Sequence, residues 1–559
     1  CGAVIPAAEK LLGARFPAWA DDAYLEFSRS GRRPPGERML AARSAWLRPL
    51  VLAECLEDQG RFLPALGMAL TEYVDEPTWT LPAHDGKLEN FHRTAYSVDL
   101  RSSAFAFELA TAIAVLGDRL DPALRARVLA ALDQRVFAPL RATLVSGKGH
   151  AWLGTKANPV QNNWNPVVLS GVVGAALAVL PARQDRAVFA AAGEHYPRYY
   201  LNSFRDDGYC DEGAGYWGYG FGDFVLLREE LVHATGGRVE PFADPRIRAI
   251  ALYGPRVQLL DRLAPPFSDC RAGVRVDAGL CDYCDAVLHL GMATTPDAGA
   301  MFRSRMATIG VVATPLTGSA GAAEAVGLRT WFDRAGVLVC RPAVGGHLAV
   351  AIKGGGNGSH SHNDIGSYIL CLDDQLMAGD PGGPYAYDNK TFTKERYDHK
   401  LLNSYGHPVP VVAGQLQRVA TQVTIPTPLP TFSDAADEVR IDLTKAYAAP
   451  ALTSLVRTLR CERGGLGLVR ISDAVVFASP QAFAVAIPTR ATWKRIADTT
   501  LELSLGGHRV LATIACPVPF TINDESIQEL DAPAFTRIAV TTTMPVQATT
   551  IAVTFTPQP

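Results

Sequence analysis

The first part of the chain has the hydrophobic period of helices. From about residue 7 to about residue 312, apolar residues recur at spacings of three and four on a background rich in Ala, Leu and Arg. The pattern is clearest at 100–117, 122–144 and 221–237, the last of which is ended by a glycine pair. Many successive helices without strand-like segments between them are typical of a bundle or an α/α toroid.

After about residue 327 the pattern changes to short runs of alternating, β-branched residues. Examples are 335–342, 347–354, 465–477 and 549–557. Alternation over many short runs predicts a large antiparallel β-sandwich, because one side of each strand faces the core.

The two patterns together predict a multi-domain α + β protein. An N-terminal α/α toroid, an incomplete helical barrel, is expected over 1–312, and an antiparallel β-sandwich over 313–559. The residues at 313–327 are small and form the expected connector.

Composition narrows the function classes. The 559 residues are 48% hydrophobic and 19% charged, and the net charge is −3, so no electrostatic feature indicates nucleic acid or an anionic membrane surface as a partner. The most apolar run, 166–182, is shorter than the roughly 20 residues of a spanning helix. We therefore expect a buried helix there and no transmembrane segment.

Cysteines give two expectations. Cys281 and Cys284 form a close pair that we interpret as structural, in a disulfide with or near Cys270. The sequence begins at Cys1, the residue that remains after a bacterial lipoprotein signal is cleaved, although a cloning boundary would explain it equally well. The expected location is periplasmic or lipid-anchored at the bacterial envelope, with secretion as the alternative.

Two histidines one residue apart, His360 and His362, lie in a glycine-rich polar loop. In an extended chain both rings face the same side, which suits either a metal site or a proton-transfer site with a ligand beside it. Asp364 and Asp380 are close in sequence, and a third histidine, His407, follows. Because these residues cluster, the alternative that His360 and His362 are exposed loop histidines without a shared function is the weaker interpretation.

A glycine-rich aromatic stretch occupies 205–224 in the helical part. It contains a literal GxGxxG at 213–218, but no hydrophobic strand precedes it and acidic residues crowd it, which argues against a dinucleotide site. We interpret it as a loop that presents aromatic rings to a sugar, although packing beneath a helix start is as good an explanation for each ring alone. The aromatic residues are Tyr209, Tyr216, Trp217 and Tyr219.

The sequence NNWN at 162–165 directly precedes the apolar run. One of its asparagines suits the N-cap of the following helix. Three asparagines exceed what capping needs, and an amide is a good neutral donor to a carboxylate.

The order of these motifs, NNWN, DG…EGxxYWxYG, SHxHNDxGS, GD, RY and NSxGH, resembles the heparinase II/III-like polysaccharide lyases. The resemblance covers nearly the whole chain, from roughly residue 91 onward, and is most specific over 360–407. Members of this family have a helical toroid followed by an antiparallel β-sandwich. They cleave uronic acid polymers by β-elimination.

The resemblance implies roles for individual residues. The family's metal set, usually zinc, falls on His362, Asp380 and His407, and the ion would hold the loop that carries His360, close to the active site. Catalytic roles fall on Asn163, Tyr216, His360 and Tyr397. Substrate contacts fall on Asn162, Trp164, Asn165, Trp217 and Arg396, with Asn165 a close second to Asn163 for the uronate carboxylate.

One position departs from the family. Several members carry a histidine directly after the asparagine, where this sequence has Trp164, which shifts the catalytic work onto His360 and Tyr216. The reaction removes the C5 proton and expels the C4 oxygen, so the charge developing on the carboxylate must be neutralised, by a hydrogen bond from Asn163 and by positive charge from His360 or Arg396. A tyrosine can act as base, acid or both if such neighbours lower its pKa.

The expected function is therefore a polysaccharide lyase acting on a glycosaminoglycan or alginate type of polymer or oligosaccharide, with Tyr216 returning a proton to the leaving oxygen. Two alternatives remain. One is a glycoside hydrolase on a helical toroid, which could recruit Asp211 and Glu212, and the other is a non-catalytic glycan-binding lipoprotein. The expected partner is an anionic glycan, and a homodimer is among the expected assemblies.

Overall fold

The computed structural model describes residues 3–157, 162–292, 326–354, 360–419 and 428–558, together with 423, 425 and 426. Within these residues the α-helices precede the β-strands, and the paired strands are antiparallel. This order confirms the predicted fold class. The predicted domain boundary between 312 and 313 lies outside the described residues, as does Cys1.

The helices follow the predicted segments, and α7 and α8 are joined through a π-helical turn at Asp133–Phe137. In chain order, α1 to α15 are Val4–Leu12, Asp21–Ser30, Pro34–Ser44, Leu47–Glu57, Leu63–Asp75, Leu100–Leu116, Pro122–Leu132, Ala138–Ser146, Trp164–Val179, Arg183–His195, Pro197–Leu201, Ala214–Tyr216, Gly222–Thr235, Ile247–Val257 and Ala278–Leu288.

The described residues form two compact units, which we call the helical unit and the sheet unit. The helical unit comprises the described residues up to 203 together with 219–247. The sheet unit comprises 204–218, 248–292 and the described residues from 326 onward. The sheet unit therefore includes α12, α15 and most of α14, in addition to the strands.

Helix α9, the predicted buried helix, packs against α6, α10 and α13 in the helical unit. Gly171 and Gly174 permit the close approach to α6, since a Cβ on Gly171 would lie 2.6 Å from the Ser103 carbonyl and one on Gly174 would lie 2.3 Å from the Phe107 ring. Among the described helices, the stretch 100–119 is long and apolar enough to cross a membrane by composition, and most of its apolar window is buried within the protein.

The strands of the sheet unit form three sheets. The first has the order β1-β2-β3-β4-β5, the second β12-β13-β14-β17-β10-β9-β8-β7, and the third β15-β16-β11-β6. In chain order, β1 to β17 are Arg329–Phe332, Val337–Cys340, Leu348–Lys353, Tyr368–Leu372, Gln375–Gly379, Val411–Val412, Leu429–Phe432, Ala436–Asp442, Leu452–Glu462, Leu468–Gln481, Phe483–Thr489, Thr492–Ala497, Thr500–Leu505, His508–Ala515, Phe520–Ile527, Phe535–Thr542 and Val546–Gln558.

A buried ion pair links the sheet core to the loops that carry the candidate site. Arg457 on β9 and Asp473 on β10 are directly opposite in register, and the guanidinium donates to both carboxylate oxygens at 2.8 Å. The same guanidinium donates to the carbonyls of Gly366 and Pro408. It thereby fixes the backbone shortly after His362 and directly after His407.

The disulfide expected near Cys270 is wrong. Cys270, Cys281 and Cys284 are all free thiols and buried. The latter two lie on α15, inside the sheet unit, where they serve as small apolar core residues.

Candidate active site

Three side chains with metal-ligand chemistry come together in the sheet unit, as the resemblance implies. His362 lies between β3 and β4, Asp380 directly follows β5, and His407 precedes β6. All three are buried, and one ligand atom from each lies within 4.8 Å of the others. The cluster could therefore hold a metal ion.

The hydrogen bonds around this cluster fit a metal site. Nε2 of His407 lies 3.0 Å from the carbonyl of Leu401, which can only accept, so Nε2 donates to this carbonyl and Nδ1 is the nitrogen that faces Asp380. Nδ1 lies 3.3 Å from Asp380 Oδ2 and has no hydrogen-bond partner among the described residues. Asp380 is itself held by the Ser367 hydroxyl at 2.7 Å and by the Gly382 N–H at 2.9 Å. Two imidazoles and one oriented carboxylate match the ligand set of a divalent transition metal.

A second buried pair lies against this cluster. Lys353 at the end of β3 donates to Asp364 at 2.6 Å, and the other oxygen of Asp364 is 3.9 Å from Nδ1 of His407. The ammonium compensates one of the two aspartates around the histidine, and so lowers the cost of burying them together.

Asp269 was not found by sequence reasoning, yet its side chain contacts four groups of the candidate site. Its Oδ1 accepts from Nε2 of His362 at 3.0 Å and from Arg396 at 2.8 Å. Its Oδ2 accepts from Nδ1 of His360 at 2.7 Å and from the hydroxyl of Tyr387 at 3.0 Å. Burial alone would raise the pKa of Asp269, but the bonds from the two histidines and the charge of Arg396 hold it well below its usual range.

His360 lies between two carboxylates. Its Nδ1 contacts Asp269, and its Nε2 is 3.2 Å from Glu212 Oε1. Burial alone would lower the pKa of His360, but the bond to Asp269 and the charges of Asp269 and Glu212 raise it. The ring therefore keeps its proton to a higher pH than a free imidazole does. Its backbone is in the left-handed region, with φ of 55°, so the loop is not extended here and the two histidines meet through Asp269 rather than through a strand-like alternation.

Tyr216 packs against this imidazole, with ring centroids 4.7 Å apart. Its hydroxyl is 2.5 Å from that of Tyr387. Burial and the charge of Asp269 raise the pKa of Tyr216, so its hydroxyl is protonated throughout the neutral range. The lowered pKa that would let a tyrosine act as a base is therefore not found at Tyr216, because burial and the charge of Asp269 both raise it.

The glycine-rich loop brings Glu212 and Tyr216 to the Asp269 segment by close backbone approach. Gly213 has φ of 92°, and a Cβ there would lie 2.6 Å from the Phe267 carbonyl. Trp217 is fully buried and donates its indole N–H to the Ile250 carbonyl at 2.9 Å. The structure thus makes Trp217 a packing residue of the sheet unit rather than a surface on which a sugar can stack.

The other aromatic residues of that loop differ in exposure. Tyr209 is buried against Tyr253 and Phe332, whereas Tyr219 is exposed. Tyr209 therefore also packs in the core instead of facing a ligand, because the loop turns its side chain toward α14 and β1.

The second predicted tyrosine does not join Tyr216. Tyr397 places its hydroxyl 3.5 Å from the Ser361 carbonyl, and burial raises the pKa of Tyr397. The tyrosine that contacts Tyr216 is Tyr387, ten residues earlier and also after Asp380. The sequence offered both tyrosines in the same stretch, and only the folded loop distinguishes them.

Arg396 is buried and its charge is matched by Asp269. Its second terminal nitrogen donates to the Thr391 carbonyl at 3.0 Å. The predicted role as a substrate contact would require this guanidinium to act while bound to Asp269.

The asparagines of the NNWN motif lie in the helical unit. Asn165 is fully buried and donates to the carbonyls of Trp152 and Leu153 at 3.2 and 3.1 Å, so its amide group holds the backbone. Asn162, rather than the N-cap residue Asn163, accepts from a backbone N–H at the start of α9, that of Trp164. Asn163 is buried, and its predicted role remains a prediction.

Trp164, at the position where several members of the resembling family carry histidine, contacts a histidine from elsewhere in the helical unit. His84 packs on the Trp164 ring at 4.4 Å and bonds through Nδ1 to Asp99 at 2.8 Å. Asp99 also caps α6 by accepting from the Ser102 N–H. No local pattern indicates this pairing, because His84 and Trp164 are far apart along the chain.

Comparisons with known proteins identify the fold. No family model and no curated protein matches the sequence. A crystal structure of heparinase III aligns with a TM-score of 0.63 at 12% identity, covering 98% of this chain and 79% of that chain. A heparinase III gene product aligns at 0.62 and 12%, covering 100% and 89%, and the heparan sulfate lyase HepC from Pedobacter heparinus at 0.58 and 10%, covering 99% and 87%. At these identities the likeness shows the fold, which is the one that the motif resemblance implied.

Proposed function

We propose that this protein is a polysaccharide lyase that cleaves a uronic-acid-containing glycan by β-elimination, with Tyr216 as the acid that protonates the leaving oxygen. The observation that carries the proposal is the position of Tyr216, whose ring packs on the imidazole of His360 with centroids 4.7 Å apart. Burial raises the pKa of Tyr216 and keeps its hydroxyl protonated, and a neutral phenol suits donation of a proton to an oxygen that develops negative charge.

The residues of the sheet unit suit the other needs of the reaction. The C5–H bond and the C4–O bond break while a C4–C5 double bond forms, so one proton is accepted and one is supplied. His360 would stabilise negative charge on the substrate carboxylate through Nε2, in exchange for its contact with Glu212. Tyr216 supplies the proton to the C4 oxygen and recovers one from solvent. The C5 proton goes to a second group, for which Tyr397 and Glu212 are the residues to test.

We also propose that His362, Asp380 and His407 bind Zn²⁺. The donor set and the orphaned Nδ1 of His407 support a tightly held ion. When bound, the ion would cross-link three loops of the sheet unit and act on the reaction only through the position of the loop that carries His360.

For the substrate we propose a glycosaminoglycan first. A solved structure with this fold is named as a heparan sulfate lyase. The net charge of −3 implies that a polyanion must be met by local positive groups.

The hydrolase alternative is weakened because the two carboxylates that it would use already have partners. Asp211 is bound to Arg205 at 2.9 Å, and Glu212 contacts His360 at 3.2 Å. A hydrolase needs one carboxyl group as an acid and one as a base or nucleophile on either side of the bond, and here both carboxylates are paired with cationic groups.

The decisive experiment is a product assay. Purified protein is incubated separately with heparin, heparan sulfate, chondroitin sulfate, hyaluronan, alginate and ulvan, and the ultraviolet absorbance of an unsaturated uronate is followed together with the reducing ends. Lyase action raises both signals in equal amounts. Reducing ends without absorbance would indicate hydrolysis, and binding without either signal would indicate a non-catalytic glycan-binding protein.

A further inference from the structure

One carboxylate in the sheet unit has its two oxygens turned toward different parts of the candidate site. Oδ1 of Asp269 accepts from the candidate metal ligand His362 and from Arg396, and Oδ2 accepts from His360 and Tyr387. We propose that Asp269 is a positioning residue that couples the orientation of the metal ligand to the orientation of the groups that move protons. The catalytic half of this inference rests on the proposed lyase function.

The backbone around Asp269 is held firmly enough for such a role. The preceding residue, Ser268, has φ of 61° and donates its hydroxyl to the Asp211 carbonyl at 2.8 Å. On the other side, Gly383 donates its N–H to the Cys270 carbonyl at 2.8 Å, and a Cβ on Gly383 would lie 2.5 Å from the backbone of Asp269. The segment is therefore packed against both the aromatic loop and the loop that follows the candidate ligand Asp380.

Toward the metal side, Asp269 determines which nitrogen of His362 is available. Nε2 of His362 lies 3.0 Å from Oδ1 of Asp269, so Nε2 donates to this oxygen and Nδ1 is the nitrogen left to bind a metal. Nδ1 of His362 lies 3.1 Å from Nε2 of His407, so this side of the ring faces another member of the candidate ligand set. A carboxylate behind a ligating histidine fixes its tautomer and ring orientation.

Toward the catalytic side, Asp269 orients two groups. It holds His360 through Nδ1, so that Nε2 faces Glu212. It also accepts the hydroxyl proton of Tyr387, which leaves the oxygen of Tyr387 to accept from Tyr216. The direction of the tyrosine pair thus follows from the negative charge on Asp269.

The test is Asp269→Asn, which keeps the size of the side chain but replaces one accepting oxygen by a donating NH₂ group. Two of the four donors then face a donor. We expect Zn²⁺ transfer to a chromogenic chelator to show roughly 10- to 100-fold weaker binding than in the wild type. We also expect kcat to fall by about 100-fold while KM changes by no more than about three-fold, because the hydrogen bonds that Asp269 accepts orient reacting groups.

Asp261→Asn is the matched control. Asp261 is on the same segment of the sheet unit, is exposed, and accepts from Arg275 at 2.7 Å. This variant loses a charge-assisted bond without touching the site, so Zn²⁺ binding, kcat and the circular dichroism melting curve are expected to match those of the wild type.

A second variant keeps the proposal testable if Asp269→Asn does not fold. Tyr387→Phe removes one hydroxyl and leaves the bonds of Asp269 to His362 and His360 intact. We expect it to bind Zn²⁺ as the wild type does and to lower kcat at least ten-fold, because Tyr216 loses its partner.

The outcomes separate this proposal from the proposed function. Wild-type protein without lyase activity on any polymer would end the proposed function, and Zn²⁺ transfer from Asp269→Asn would still decide the metal half of this inference. The inference is overturned if the wild type holds no Zn²⁺, if Asp269→Asn binds Zn²⁺ and turns over like the wild type, or if Tyr387→Phe keeps full turnover in an active enzyme.

Discussion

The sharpest prediction concerns the hydroxyl of Tyr216. Replacing Tyr216 by Phe removes one oxygen and leaves the ring that packs on His360 at 4.7 Å. Tyr387 loses the neighbouring hydroxyl at 2.5 Å but still donates to Asp269 at 3.0 Å. The fold, the candidate metal cluster and the imidazole are therefore retained, and the change isolates the transferable proton.

The expected effects on stability and on turnover differ in size. One hydrogen bond between neutral groups contributes about 1 kcal/mol to the free energy of unfolding, so the melting temperature should fall only slightly. A residue that supplies the proton to the leaving oxygen contributes about 100-fold or more to the rate, which corresponds to about 2.7 kcal/mol in the activation barrier. Turnover should therefore suffer far more than stability.

The assay follows ultraviolet absorbance of the unsaturated product at saturating substrate, on the polymer that the wild type cleaves best. KM should stay within about three-fold, because only a hydroxyl is lost. Tyr196→Phe, at a partly exposed tyrosine of the helical unit, is the matched control and should leave turnover unchanged. If Tyr216→Phe turns over within a few-fold of the wild type, Tyr216 does not transfer the proton, and Tyr397 or His360 must do so.

Three further predictions address metal, pH and the core. Elemental analysis should find about one zinc per chain, and either chelation or His407→Ala should remove it and lower the melting temperature; a metal-free protein whose melting is indifferent to chelators would refute this. Burial lowers the pKa of His150 to about 4, so this ring stays neutral in the folded protein while the unfolded chain protonates it near pH 6.5. The free energy of unfolding therefore keeps its full value above about pH 6.5 and falls as the pH drops toward 4, by about 2 kcal/mol at pH 5. In urea unfolding between pH 7 and 5, His150→Gln should lose this pH dependence. Arg457→Met should cost roughly 3–5 kcal/mol by leaving Asp473 charged and unpaired, and adding Asp473→Leu should restore much of it; equal stability of the single and double variants would contradict this.

Local sequence was sufficient for the elements, whereas the candidate metal set followed from the resemblance of the motifs to a known family. The three-and-four spacing over 100–117 predicted α6, and the alternation over 465–477 predicted β10, because each pattern reports which face of an element is buried. His362, Asp380 and His407 were found because they stand in a motif with a recognisable order, and the structure brings them together.

Tertiary structure decided the partners of those residues. Asp269 reaches His360 across 91 positions of the chain, and Tyr387 reaches Tyr216 across 171, and no local period encodes contacts of that separation. Trp217 and Tyr216 are adjacent in sequence, yet one is a fully buried core residue and the other lies beside the imidazole. The direction of a pKa shift likewise depends on how deeply the fold buries a group and on the charges that it places nearby. For Tyr216, burial and the carboxylate of Asp269 raise the pKa, and so its hydroxyl keeps its proton.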